Sequence, residues 1–203
     1  MLRMVSRFRH WVFRHRGIIP VPFLLGLILF NAPTSPYGSL DLFFDALGVA
    51  VISSGLALRA WAIGYAGPHT RSCKLRSPRL VTSGPYAYVR NPIYLGNLLI
   101  GLGVVTMMES WIALGVLLVV FSVEYGSIVS LEEEFLRKAF GDRYEEYRRQ
   151  VPRWVPRLSP VRADGSEPFS WRALRKEYLA ALSALSMAGA VEVAEQVGRL
   201  IPW

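Results

Sequence analysis

Along its hydrophobic and polar positions the chain resolves into four long apolar segments joined by polar connections of unequal length. The first, residues 18–32, follows a basic arm carrying Arg3, Arg7, Arg9, Arg14 and Arg16. No clean small-x-small cleavage site follows it, and Asn31, Pro33 and Pro36 lie in a loop-like stretch, so it reads as a retained transmembrane helix, not a cleaved signal. It is near the lower end of the ~17–25 residues needed to cross a bilayer, which calls for local thinning. Pro20 and Pro22 fall in its first turns, where a missing N–H costs least. The second segment, 40–66, is ample to span. It has Asp41 and Asp45 near its start and Arg59 near its end, and Arg59 is expected to snorkel to the interface. A polar, basic loop, 67–91, leads to the third segment, 92–108, which contains Gly96, Gly101 and Gly103. A tight turn at 107–110 opens the fourth, 111–129, with Trp111 suited to an interfacial belt. So short a turn requires an antiparallel hairpin, and the glycines allow neighbouring backbones to approach closely.

Beyond the fourth segment the pattern changes. Phe135, Leu136, Phe140, Tyr144 and Tyr147 recur at helical spacing, which predicts an amphipathic helix over 131–150 with a break at Gly141. Residues 151–157 contain Pro152 and Pro156, and each proline biases its predecessor away from the α region, so an extended strip is expected. Residues 164–168 form a linker. Ser170 is placed to cap a last helix over 171–200, basic at its start and then alanine-rich. Glu192 and Glu195 favour packing on the bundle or an amphipathic role over a fifth free span. The expectation is therefore an all-α integral membrane bundle: four transmembrane helices, an amphipathic helix and an additional C-terminal helix. It forms one membrane domain over 1–203, made of an arm and two helices (1–66), a polar core with the hairpin (67–158), and a linker with the last helix (159–203).

Composition agrees with this and adds orientation. Hydrophobic residues make up 52% of the chain, and the mean hydropathy is +0.30, ordinary for a small helical membrane protein. The net charge of +8 would suit nucleic acid or an anionic membrane face; the apolar segments select the membrane. Neither 31–39 nor 107–110 contains Lys or Arg, whereas the N-terminal arm, the 67–91 loop and the region after residue 130 hold nearly all of them. The positive-inside rule then puts the N-terminus and both chemically rich polar segments on the cytoplasmic side. The single cysteine, Cys73, permits no internal disulfide, and no His/Cys cluster at ligand spacing suggests a metal.

The polar segments carry a recognisable order of residues. Gly84, Tyr86, Arg90-Asn91-Pro92, Tyr94 and Gly96 run into the third apolar segment. The hairpin follows, then Glu132-Glu133-Glu134, then Phe140-Gly141 with Tyr144 and Tyr147, and finally Val151-Pro152. Over 65–156 this closely resembles the isoprenylcysteine carboxyl methyltransferase and phospholipid methyltransferase superfamily. The resemblance does not extend with force to the first or last helix. It implies helical membrane proteins that bind S-adenosylmethionine in a pocket closed by the helix after the hairpin. Accordingly, no strand-glycine-helix dinucleotide fingerprint is found.

Roles follow from what that cofactor offers. Glu132 and Glu133 suit its ammonium or ribose hydroxyls as charge-assisted acceptors, and Arg90 suits its carboxylate or an anionic acceptor group. Asn91 can both donate and accept. Tyr86 and Tyr94 can present π faces to a sulfonium or cover the adenine, and Gly96 would let backbone approach a ligand. His69 is a further candidate for the pocket wall. Arg90 and Glu133 are the catalytic candidates. Glu124, ionisable inside the fourth segment, is a further pocket candidate. Each has a plainer reading: glutamates complementing a helix dipole, Arg90 snorkelling, tyrosines (Tyr88 above all) in an interfacial belt, and Asn91-Pro92 as a helix start. The expected acceptor is lipid-like, an isoprenylcysteine-type carboxylate or a phospholipid amine. The rivals are a sterol-reductase-type enzyme using a nicotinamide cofactor and a non-enzymatic membrane scaffold. The oligomeric state is left open.

Overall fold

The computed structural model describes residues 11–13, 39–67, 79–161, 168–175 and 177–200, and every element among them is helical. In chain order these are α1 (Ser39–Ala66), the 3-10 turn η1 (Gly84–Ala87), α2 (Pro92–Met107), α3 (Trp111–Phe140), α4 (Asp142–Gln150), α5 (Trp171–Leu174) and α6 (Tyr178–Leu200). The segment expected to form the first transmembrane helix, 18–32, lies outside the described residues, as does His69. Of the three expected spans that fall among the described residues, two are long and apolar enough to cross a membrane, Asp41–Ala66 and Trp111–Phe140. The third, α2, has 16 residues, and at 1.5 Å per residue reaches about 24 Å, short of a ~30 Å hydrocarbon core.

Local chemistry sets the helix limits. Pro92 occupies the first position of α2, where its missing N–H is no loss. Ser110 caps α3 by accepting from Ala113 N at 3.2 Å. The fourth apolar segment and the acidic stretch after it are one continuous helix, which ends at Gly141 with φ 53°, a conformation that favours glycine. α4 then opens with Asp142 and Glu145 and closes with Arg148 and Arg149, each set matching its end of the helix dipole.

α1 and α2 make the tightest pair. A side chain at Gly48 would meet the Gly103 carbonyl and Met107, and one at Gly103 would meet the Gly48 carbonyl and Ile52. Gly55 and Gly96 face each other in the same reciprocal way. The two crossings sit one heptad apart on each helix, which is the spacing of an antiparallel seam. Thus the glycines of α2 bring it against α1, while Gly101 faces Leu117 of α3. The Gly103→Val variant places atoms within 3 Å of α1 backbone. It should lower stability by roughly 1–3 kcal/mol, read as a drop in the thermal midpoint of the detergent-solubilised protein. An unchanged midpoint would refute the seam.

The main apolar core joins α1, α2, α3 and α6 through Ile52, Val104, Met107, Ala113, Ala184 and Val191. The last helix is therefore packed on the bundle. The expected single helix over 171–200 is two, one ending at Leu174 and the next starting at Tyr178; ahead of the first, Phe169 packs where Gly64 has no side chain, and Ser170 N–H donates to Gly64 O at 2.7 Å. Ser170 does occupy the N-cap position of α5, without a side-chain capping bond. The outer faces of α1 and α3 expose Leu42, Phe43, Leu47, Ile112, Val119 and Val123, an apolar surface suited to lipid. Ser53, Ser54, Ser127 and Ser130 each donate to the carbonyl four residues back, so hydroxyls on those faces are internally satisfied.

Candidate functional site

The connector before α2, the last third of α3 and the strip after α4 fold onto one another. Three backbone bonds lace connector to strip: Arg90 N to Pro152 O (2.9 Å), Arg157 N to Tyr88 O (3.0 Å) and Val161 N to Ala87 O (3.0 Å). Asn91 stands at the N-cap position of α2 but makes no capping bond; its Nδ2 donates instead to Arg153 O at 3.1 Å. The Tyr147 hydroxyl donates to Tyr86 O at 2.9 Å, fixing η1 to α4. Tyr144, Tyr147 and Val151 form a small apolar core beneath this junction, with Leu80, Leu136, Phe140 and Val161 around it. The strip is non-helical, as its prolines require, but it bends at 153–155 and is not the extended run expected; its free amides and carbonyls are what allow the lacing.

Glu133 lies at the centre. It is 7% exposed, and two guanidiniums share its carboxylate. Arg90 Nη1 is 2.9 Å from Oε1. Arg153 Nε donates to Oε1 at 3.0 Å, and Arg153 Nη2 pairs with Oε2. The Arg90 Nε is buried with no hydrogen-bond partner among the described residues, while its Nη1 faces Glu133 as an ion pair outside good hydrogen-bond geometry. Two arginines and one carboxylate leave the cluster one positive charge in excess. Beside it, burial first and the Glu133 carboxylate second push the Tyr144 phenol above its ordinary range, with Arg90 pulling the other way; the phenol stays neutral at physiological pH.

The three glutamates of α3 separate by helical direction. Glu133 points into the cluster, and Glu134 is exposed and pairs with Lys138 at 2.7 Å. Glu132 is half-buried and accepts from the Tyr94 hydroxyl at 2.7 Å. The Tyr94 ring lies 4.9 Å from that of Tyr125, and Tyr125 lies 4.5 Å from Phe121. Glu124, next to Tyr125 and about two turns before Glu132, is buried at 2% exposure.

The structure thus brings Arg90, Asn91, Tyr94, Glu132 and Glu133 together and sets Tyr86 at the edge, in η1. Gly96 is different: its bare Cα is covered by Arg59 and the Gly55 carbonyl of α1, so the close approach it permits is between helices. Tyr88 packs against Trp61 at 6.1 Å and anchors the strip through its carbonyl. Arg59 corrects a sequence expectation. It does not snorkel: it is 9% exposed, paired with Glu177 at 3.1 Å and bonded to Asn97. A charge inside a bundle stays there when acceptors from another helix and from the turn between α5 and α6 converge on it. Sequence reading also missed Arg153, Tyr125 and Asn97. For Arg153 a signal was present, an arginine between two prolines in a strip whose backbone must be held. For Asn97 and Arg59 the polar residues sit one per helix, and only packing pairs them.

Fold and site together define an all-α protein with membrane-type helices, whose polar centre is built at one end of the bundle from segments far apart in sequence. The family model described as phospholipid methyltransferase matches residues 44–143. The cobalt-zinc-cadmium resistance protein CzcN of Cupriavidus metallidurans is 33% identical over 156 residues, covering 75% of this chain and 69% of that protein. Protein-S-isoprenylcysteine O-methyltransferase of Schizosaccharomyces pombe is 30% identical over 128 residues, 63% of this chain and 53% of that one. Its counterpart B in Arabidopsis thaliana is 34% identical over 113 residues, 54% and 57% of the two chains. The chain therefore spans about half the length of these two methyltransferases. No solved structure gives a significant match. The chain belongs to the isoprenylcysteine carboxyl methyltransferase and phospholipid methyltransferase superfamily.

Proposed function

We propose that the protein is a multi-pass membrane methyltransferase that uses S-adenosylmethionine to methylate a lipid-like carboxylate, with its site on the cytoplasmic face. The observation that carries this reading is the buried Glu133 between Arg90 and Arg153, one residue from the Tyr94–Glu132 pair. The unpartnered Arg90 Nε and the excess positive charge fit an anion in the centre. Glu132, held by Tyr94, fits the ammonium or ribose hydroxyls of the cofactor, and the rings of Tyr94 and Tyr86 fit its sulfonium or adenine. When bound, the cofactor supplies an electrophilic methyl group on a positively charged sulfur. The chain's own part is to align, screen and desolvate. Arg90 and Arg153 orient the acceptor carboxylate, Glu133 keeps the two guanidiniums apart and in register, and the surrounding apolar cores exclude water. A carboxylate oxygen attacks as the anion, so no general base is required. A protonated amine would need one, which makes a phospholipid amine the less suitable acceptor. The shorter α2 completes the hairpin between α1 and α3 in this arrangement. The whole chain acts as one domain.

The test is transfer of labelled methyl by the purified full chain to total membrane lipid and to prenylcysteine analogues. A carboxyl methyl ester releases its label as methanol in mild base, whereas an N-methyl group does not. Base-labile product is expected. Base-stable product would overturn the acceptor class, and binding of a nicotinamide cofactor in place of S-adenosylhomocysteine would overturn the enzyme class. Within the same reading, Tyr94→Phe removes one bond to a charged carboxylate. It should weaken S-adenosylhomocysteine binding about tenfold, measured by titration calorimetry; unchanged affinity would take Glu132 out of the cofactor site.

A further inference from the structure

A second polar system crosses the bundle from the C-terminal segment to the site. Arg59 presents a bidentate fork to Glu177: Nε to Oε2 at 3.1 Å and Nη2 to Oε1 at 3.2 Å. Both side chains are 11% exposed. The remaining arm of the fork, Nη1, donates to Asn97 Oδ1. Asn97 Nδ2 donates to the Tyr125 hydroxyl at 2.9 Å. The Tyr125 ring lies against Tyr94, whose hydroxyl reaches Glu132 at 2.7 Å. Four elements are joined: the turn between α5 and α6, then α1, α2 and α3.

The direction of this chain is set by its charged end. A guanidinium has donors only, so Asn97 must turn its oxygen to Arg59 and its amino group to Tyr125. Packing alone does not call for such a pair, because apolar residues of similar volume in place of a buried ion pair are generally as stable or more so. The backbone is shaped to deliver Glu177: α5 ends at Leu174 and α6 begins at Tyr178, the Glu177 N–H donates to Leu174 O at 2.8 Å, and its carbonyl accepts from Ala181 N at 3.1 Å.

We infer that the C-terminal segment is a working part of the ligand site, with Glu177, Arg59 and Asn97 as positioning residues that hold Tyr125, and through it Tyr94, against Glu132. What the site binds rests on the function proposed above; the coupling itself does not. The experiment is a double-mutant cycle on the full chain in detergent. One arm is Arg59→Met with Glu177→Met, which removes the ion pair while keeping apolar packing of the C-terminal helix. The other is Tyr125→Phe, which removes only the hydroxyl.

Each arm should weaken S-adenosylhomocysteine binding about three- to tenfold, with the thermal midpoint near that of the parent. The combination should be no weaker than the worse arm by more than about twofold, because sites that do not communicate add. Native affinity in the methionine pair, or full additivity, overturns the inference and reduces the ion pair to a docking contact. If the methionine pair fails to fold, Glu177→Gln takes its place in the cycle. If the parent protein binds no S-adenosylhomocysteine, the proposed function is what fails. The coupling is then decided by amide hydrogen exchange over 92–97 and 131–136: faster exchange in both arms sustains it, and unchanged exchange overturns it.

Discussion

Glu133→Gln is expected to abolish methyl transfer and to destabilise the fold at the same time. The carboxylate is shared by two guanidiniums, and its neutral replacement leaves Arg90, 11% exposed, with no counter-charge at 2.9 Å. Breaking a buried pair from one side costs about 3–5 kcal/mol. The real figure sits at the lower end of that range, because Arg153 is 40% exposed and recovers solvation. Under the proposed mechanism the catalytic loss should exceed the stability loss, since both arginines would lose the spacing proposed to orient an acceptor carboxylate. We expect methyl transfer to fall by about 100-fold or more, with a lower thermal midpoint. Glu134→Gln is the matched control. Its side chain is 54% exposed and pairs with Lys138 on the surface, so it should change stability by no more than about 0.5 kcal/mol. If both variants behaved alike, Glu133 would not be the centre of the site.

The second large effect is expected from Arg90→Met. This removes the guanidinium whose Nε has no partner among the described residues, while nearly matching the volume of the stem. Loss of one preorganised donor to a developing or ground-state anion typically costs about 100- to 1,000-fold, and we expect a loss of that order in kcat/KM for a carboxylate acceptor. Arg90→Lys should recover little, because a single ammonium cannot face Glu133 and an acceptor together through a planar fork. Arg153→Lys should be milder, since that residue reaches Glu133 from a half-open position. Steady-state kinetics with a prenylcysteine analogue would measure all three. Near-native kcat/KM in Arg90→Met, with the protein folded, would remove Arg90 from the chemistry. A loss confined to cofactor affinity would assign it to the cofactor carboxylate in place of the acceptor.

These expectations depend on how much of the site was legible in the chain itself. The connector motif and the glutamate stretch were readable because each is local: residue types in fixed order over a short window. The helix start at Asn91-Pro92, the break at Gly141 and the end of helix before Pro152 were readable for the same reason. Each follows from a backbone preference of one or two residues. Arg59 shows the opposite case. Near the end of an apolar helix, a long basic side chain has two destinations, the interface or a partner, and the choice depends on residues 38 and 118 positions away. Gly96 is similar. Its sequence neighbours are those of a ligand motif, yet what occupies the space beside it is the carbonyl of Gly55. The C-terminal helix is the third instance. Its composition fitted both an interfacial helix and a bundle-packed one, and the burial of Ala184 and Val191 against α2 and its neighbours decided for packing.

By itself, then, the sequence determined the helical character of the described residues, the apolar lengths, the concentration of basic residues in some polar connections and their absence from others, and the local order of the polar side chains. These are properties of hydrophobic periodicity, backbone torsions and charge, which act over a few residues. Only the tertiary structure decided which of three adjacent glutamates faces the arginines, that Arg153 joins them, and that Arg59 turns inward to Glu177. Those outcomes depend on the phase of α3 and on chain segments more than fifty residues apart meeting in a space of low dielectric. There, an unpaired charge is costly enough to choose its partner.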